Sequence, residues 1–362
     1  MPLQVYLATG KDVFMKDINY RKHSILFLCC SLTALLLAAA LVYAVDPFFQ
    51  YHKPLKGLYY LIENKTSQNP GLAKTFEYDS VILGSSMTAN FDTNLFYETM
   101  GLNTMKLTFD GAYPKDIDTI MHIVKNSPNE LETVFLGIDI FTYKREPGIT
   151  AYTVPSHLYD DTVLNDVSYV FNKDVILDYI LRPQVEREGT PFQEMYWSWP
   201  HMHYGKEYVA LSYNAPTTFN EMLPEDAYAE NISTSLTQYI LPYIESMPDT
   251  EFVIFFPPYS ILYWYDRFAD GSLEAELAGE KQIIETLLAY PNVKVYYFQN
   301  QFDYITDLNN YCDYTHYYYE MNNYMTECFA DGTHQITPNN YEAVLAEMLH
   351  FMENCDFKQY VP

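Results

Sequence analysis

The longest uninterrupted apolar stretch is Ser24 to Val45, SILFLCCSLTALLLAAALVYAV, without a charge. It is apolar on every face, so it fits lipid better than the one-sided environment of a core helix. At about 1.5 Å per residue it is long enough to cross a bilayer. Lys11, Lys16, Arg21 and Lys22 precede it, and Asp46 and Pro47 follow. The positive-inside bias puts residues 1–23 in the cytoplasm as a tail and everything after Asp46 outside. A cleaved signal peptide is the competing reading, with Val42-Tyr43-Ala44 as its cleavage site. Signal cores are usually shorter, about 7–15 residues. We therefore expect an uncleaved signal-anchor over 24–45 and a single-pass membrane protein.

Residues 46–77 read as a juxtamembrane linker with one short amphipathic segment, Gly57 to Glu63. From Tyr78 onward, short apolar runs alternate with helical periodicity. Five buried strands are expected: Ser80–Gly84, Met105–Phe109, Thr133–Phe141, Glu251–Phe256 and Val293–Phe298. Helices are expected over Asn90–Met100, Pro114–Asn126, Ala227–Glu245, Leu273–Tyr290, Tyr317–Phe329 and Pro338–Glu353. Thr337 and Pro338 form an N-cap and first-turn pair for the last. Residues 142–225 break the rhythm and are rich in Tyr, Pro and Trp, so they read as an insertion or lid. The alternation predicts an α/β domain over 78–362 with a five-stranded, mostly parallel sheet and helices on both faces. Such sheets bind ligands beyond the carboxyl ends of their strands.

Composition narrows the function. Forty-seven acids against 21 bases give a net charge of −26 over 362 residues. That field repels phosphate backbones and excludes nucleic acid as a partner. It also disfavours docking of the folded part on anionic lipid. The 36 tyrosines suit a surface that meets sugars, although tyrosine also fills half-buried positions in any fold. Five cysteines without a CxxC give neither a disulfide framework nor a zinc site; a Cys312–Cys328 bridge stays open.

The strand ends carry the candidate chemistry. Gly84-Ser85-Ser86-Met87 follows the first strand, where a serine can sit at a helix N-terminus. It is not the G-x-S-x-G elbow, because Thr88 replaces the second glycine. No phosphate-loop motif is present. Gly111 follows the second strand and can lend an N–H, or simply turn the chain. Asp139 follows the third. Two D-x-x-H pairs come after the fifth, Asp313/His316 and Asp331/His334. A serine, a histidine base and an orienting aspartate make a nucleophilic set. Asp313/His316 is preferred because it follows the fifth strand by one loop. Asp331/His334 lies a helix later, although its D-G-T-H also suits the role. Surface turns and caps are the ordinary use of such pairs. His201 and His203 lack an acidic or cysteine partner at ligand spacing, so no metal and no cofactor are expected. Trp197, Trp199, Tyr204 and Tyr208 could stack on sugar rings or merely pack a lid.

These blocks resemble the SGNH (GDSL-like) hydrolase superfamily, whose first block is G-[DS]-S after strand one. The likeness extends to its membrane-anchored, extracytoplasmic bacterial branch, similar to the D-alanine transfer proteins of teichoic-acid modification. It covers about Tyr78 to Glu353 without the insertion. Phe256 to Trp264 and Ile305 to Tyr317 also look like that branch. The resemblance implies a three-layer α/β/α, flavodoxin-like fold. It implies Ser86 as nucleophile, His316 as base, Asp313 as orienter, and the Ser86 and Gly111 N–H groups as oxyanion donors. One departure stands out. The family has an oxyanion asparagine in G-x-N-D, and this chain has Asp139 there. Asn90 is a candidate substitute donor. The implied activity is hydrolysis or transfer of acyl esters, O-acetyl above all, on a cell-envelope polysaccharide, with a membrane-bound O-acyltransferase as possible partner. A lipase fits less well, because the insertion is rich in Tyr and Trp rather than Leu and Phe. A non-catalytic carbohydrate-binding or assembly factor on the same fold is the other reading.

Overall fold

The computed structural model describes residues 20–186 and 202–362. Trp197, Trp199 and His201, and the basic residues Lys11 and Lys16, lie outside the described residues.

The first helix runs Tyr20–Val45, 26 residues or about 39 Å. It is long and apolar enough to cross a membrane, and a signal sequence near the N-terminus would look the same. Most of its surface is open. Apart from Ser31, the cover among the described residues lies in its C-terminal third, along Ala38, Ala39, Val42 and Val45.

Residues 46–77 belong to the folded body rather than to a linker. Asp46 is fully buried with φ 48°. Its carboxylate accepts the Gln50, Tyr51 and His52 N–H groups at 2.7–3.0 Å and the Tyr169 hydroxyl at 2.8 Å. Phe48 and Phe49 enter the core. The expected 57–63 amphipathic segment is not helical. A helix forms instead over Lys65–Thr75, capped by Asn64. Its Gly71 touches the Phe48 and Phe49 backbone so closely that a Cβ there would clash at 2.0 Å. That approach was invisible in a sequence with no apolar stripe across these positions.

The sheet has six strands, not five. They are β1 (Ser80–Leu83), β2 (Thr104–Lys106), β3 (Thr133–Gly137), β4 (Glu251–Phe256), β5 (Val293–Tyr297) and β6 (Gln335–Ile336). Their order is β2-β1-β3-β4-β5-β6. The first five are parallel, and β6 pairs antiparallel to β5 through Val295↔Ile336 and Tyr296↔Gln335. Two residues carry no periodicity, so β6 could not be read. Buried apolar side chains fill both faces of β1, β3 and β4, as expected of a parallel sheet.

Most other differences are at boundaries. β3 ends at Gly137 rather than Phe141, and Ile140–Tyr143 is a short helix preceded by Asp139. The expected 90–100 helix starts at Thr93, capped by Asp92. The 227–245 helix divides into Ala229–Tyr239 and Leu241–Ser246, next to Pro242, which has no N–H to continue the ladder. The helix expected from Pro338 starts at Tyr341; Asn340 accepts the Thr337 N–H and hydroxyl before it. The described part of 142–225 holds short helical turns and a π-helical segment, Val175–Leu181. Cys312 and Cys328 are buried free thiols, without a bridge.

Candidate active site

β1 delivers the chain to Gly84, whose φ of +136° is open to glycine alone. A side chain there would also strike Thr88, 2.7 Å from the ideal Cβ, and Gly137 meets the same methyl at 2.6 Å. Thr88 therefore fills the space between β1 and β3 that two bare glycines leave. Ser85 caps the following 3-10 turn, Ser86–Thr88, by accepting the Met87 N–H. Thr88 returns a bond to the Ser85 carbonyl at 2.7 Å. The turn leaves Ser86 half-buried, facing out from the strand end.

The partner arrives from beyond β5. Tyr311 and Tyr317 bridge antiparallel, and the Cys312 N–H donates to the His316 carbonyl at 3.0 Å. This closes residues 312–316 into a tight loop. Asp313 Oδ1 accepts the Thr315 and His316 N–H groups at 2.8 and 2.7 Å. Its Oδ2 is left for His316 Nδ1 at 2.7 Å, and His316 Nε2 meets Ser86 Oγ at 2.8 Å. Burial pushes the Asp313 carboxyl up, but the His316 ring and the two N–H groups outweigh it and hold it down to about 2. The loop is pinned to the serine turn: Tyr317 Oη and Asn322 Nδ2 both donate to the Met87 carbonyl, at 2.7 and 3.3 Å.

Asp331 and His334 are not joined in this way. The His334 nitrogens are taken by Gln301 at 3.1 Å and Tyr324 at 2.6 Å. Asp331 accepts the Thr333 N–H. This pair turns the chain into β6.

Asp139 is buried beside the site. Burial pushes its carboxyl above the usual range. Hydrogen bonds from Ser85 and Tyr259, and the nearby His316, pull it partly back. The Tyr259 hydroxyl donates to Oδ1. The carboxyl is thus held by hydroxyl donors and offers acceptor oxygens, not an amide donor, at this strand end. Gly111, φ +66°, occupies the turn after β2. Asn90 is buried and lines the shallow cleft with Ser86, Met87, His316 and Tyr317. Its side chain lies near the Tyr204 hydroxyl, and the Tyr204 ring packs edge-on against Tyr318. Of the predicted aromatic contacts, Tyr204 stands beside Asn90, while Tyr208 stacks on His203.

Cys312, Asp313 and His316 offer ligand atoms within 4.8 Å of one another. Burial pushes the Cys312 thiol up to about 12, which keeps it a neutral, poor ligand. Both His316 nitrogens already have partners.

Sequence reasoning missed Tyr259, Tyr317, Asn322 and Lys106. Tyr259 could have been found as a polar residue just beyond β4. Lys106 sits within β2, where a lysine reads only as an interruption. Its Nζ donates to the Ala89 and Phe91 carbonyls at 2.8 and 3.1 Å, holding the loop that carries Asn90.

No protein-family model matches this chain, and no curated protein matches it either. Function therefore rests on the site's own geometry.

Proposed function

We propose that the protein is a membrane-anchored, extracytoplasmic serine esterase or O-acyltransferase of the SGNH type, on a three-layer α/β/α domain. The observation that carries this reading is the continuous line Ser86 Oγ, His316 Nε2, His316 Nδ1, Asp313 Oδ2, with links of 2.8 and 2.7 Å. A purely structural serine does not require a histidine whose other nitrogen is fixed by a carboxylate.

In this reading Ser86 Oγ attacks an acyl carbonyl as His316 takes its proton. Asp313 holds the tautomer and stabilises the imidazolium. The oxyanion is met by the Ser86 N–H, the Gly111 N–H and the Asn90 side chain. His316 then returns the proton to the departing alcohol oxygen, leaving an acyl-serine. Water as second acceptor gives a carboxylic acid and an esterase; a sugar hydroxyl gives a new ester and a transferase. Burial raises the Asp139 carboxyl, which weakens its repulsion against the oxyanion. Tyr204 and Tyr318 at the rim suit a sugar acceptor. The substrate class is an acyl ester of a cell-envelope polysaccharide, O-acetyl first, with a membrane-bound O-acyltransferase as candidate partner.

The Asp139 carboxyl, where a donor would be useful, favours one alternative: a non-catalytic polysaccharide-binding or assembly factor on the same fold. The deciding experiment is p-nitrophenyl acetate turnover by the full chain in detergent, beside Ser86→Ala. Turnover that vanishes in the variant supports the enzyme. No turnover, together with sugar-polymer binding that survives Ser86→Ala, supports the alternative.

A further inference from the structure

The strongest unexplained surface lies far from the serine turn in sequence. Residues 163–185 carry Leu164, Val167, Phe171, Leu177, Leu181 and Val185 with 44–88% of each side open to solvent. Leu177, Leu181 and Val185 recur every four residues along the π-helical segment and the Arg182–Glu186 turn that extends it, and so share one face. Val167 and Phe171 repeat the same spacing. With Val163, seven open aliphatic or aromatic side chains within 23 residues exceed the scattered exposure of an ordinary surface.

What covers this face follows from its neighbour. The Tyr20–Val45 helix contacts both Val167–Val170 and Val175–Leu181. The helix is covered along Ala38, Ala39, Val42 and Val45. Phe48, just beyond it, packs on Tyr169 and Tyr179. Asp46 accepts the Tyr169 hydroxyl. The segment thus stands at the depth of the last two turns of the apolar helix, fixed there by a buried carboxylate. At about 39 Å the helix exceeds the roughly 30 Å hydrocarbon core only modestly.

We propose that residues 163–185 form a collar lying in the outer interfacial layer of the same bilayer that holds the N-terminal helix. Leu177, Leu181 and Val185 enter the acyl region, while Asp174, Asp178 and Arg182 stay in the headgroup layer. The occupant is lipid. The driving force is apolar burial rather than attraction to anionic headgroups, which suits a chain of net charge −26. This rests on the proposed membrane span. It has a consequence for the site. Tyr179 in the collar meets the Asn64 side chain at 3.3 Å, and Lys65 pairs with Asp110 at 2.6 Å, next to Gly111. Two side-chain contacts therefore link the collar to the loop after β2 that carries Gly111. A site tied to the collar in this way suits an acyl donor or acceptor presented at the membrane surface.

The test uses the full chain in phosphatidylcholine vesicles with Cys29, Cys30 and Cys355 replaced by alanine. A nitroxide is attached at Leu177→Cys or Leu181→Cys. Leu37→Cys is the control within the span and Lys281→Cys the aqueous control. Collision with oxygen is compared with collision with a water-soluble nickel chelate. The collar predicts oxygen-dominated collision at 177 and 181, shifted towards position 37. Nickel-dominated collision there, with position 37 still in lipid, overturns the collar and leaves the span intact. Nickel-dominated collision at position 37 as well overturns the span and the collar with it. Shielding of 177 and 181 from both reagents means that protein covers them, and also overturns the proposal.

Discussion

Ser86 Oγ and His316 Nε2 stand 2.8 Å apart across 230 residues of sequence. The contact is set by backbone on both sides. The serine turn is fixed by Ser85 and Thr88, and the histidine loop by Asp313 and the Tyr311–Tyr317 bridge. Tyr317 and Asn322 tie the two loops together at the Met87 carbonyl.

Ser86→Ala and His316→Ala are each expected to lower ester turnover by at least about 10³-fold, because the members of a triad act as a unit. His334→Ala should stay within a factor of about two, since its nitrogens serve Gln301 and Tyr324. Initial rates with p-nitrophenyl acetate check this. The full chain is the right material, because Val42 and Val45 pack into the domain and a fragment starting at Asp46 would lose them. Loss of activity in His334→Ala alone would reverse the assignment of the base.

The Asp313 carboxyl is held down to about 2, below its ordinary value of 3.8. A depressed carboxylate contributes stability above its unfolded value and loses it as pH falls through the folded one. The stability gap between wild type and Asp313→Asn should therefore be full above about pH 4 and shrink between about pH 4 and 2. Chemical denaturation midpoints across that range measure it.

Glu280 is fully buried, and burial pushes it up to about 8, with the nearby Glu276 adding to the rise. Its Oε2 accepts the Tyr297 hydroxyl at 2.8 Å, while Oε1 has no partner among the described residues. A raised carboxyl costs nothing below its unfolded value, and its penalty grows as pH climbs through the folded one. Glu280→Gln should match wild type near pH 4.5 and become the more stable protein as pH passes from there to about 8. Thermal denaturation at fixed ionic strength reads the crossover; parallel curves would mean that Glu280 is ionised in the folded state at all these values.

Lys106 is buried in β2, and burial lowers its ammonium to about 7. Lys106→Met leaves the Ala89 and Phe91 carbonyls without this donor, at a cost of about 1–3 kcal/mol. Because the Asn90 loop is then less constrained, kcat should fall while KM for a small acetyl ester stays nearly constant. A variant that is less stable but keeps full kcat would limit Lys106 to a structural role.

Local pattern was enough to read the alternation of strands and helices, the apolar N-terminal helix, and the residues at the strand ends, Ser86 and Asp313/His316 among them. Those features are local: buried runs, glycine after a strand, and a D-x-x-H loop that bonds to itself. Boundaries moved where a cap or proline decided them, as at Asp92 and Pro242. The rest depends on contacts between parts of the chain that are far apart in sequence. β6 exists only because β5 offers an edge. The linker became core because Asp46, Phe48 and Gly71 meet residues distant in the chain. Position after the fifth strand favoured Asp313/His316, but the contact of that loop with Ser86 is a tertiary feature. Asp139 acquired its partners only when β1, β3 and β4 ended side by side and brought Ser85 and Tyr259 to it. Local pattern records what a residue does to its own backbone; it holds no record of which distant group will share its space.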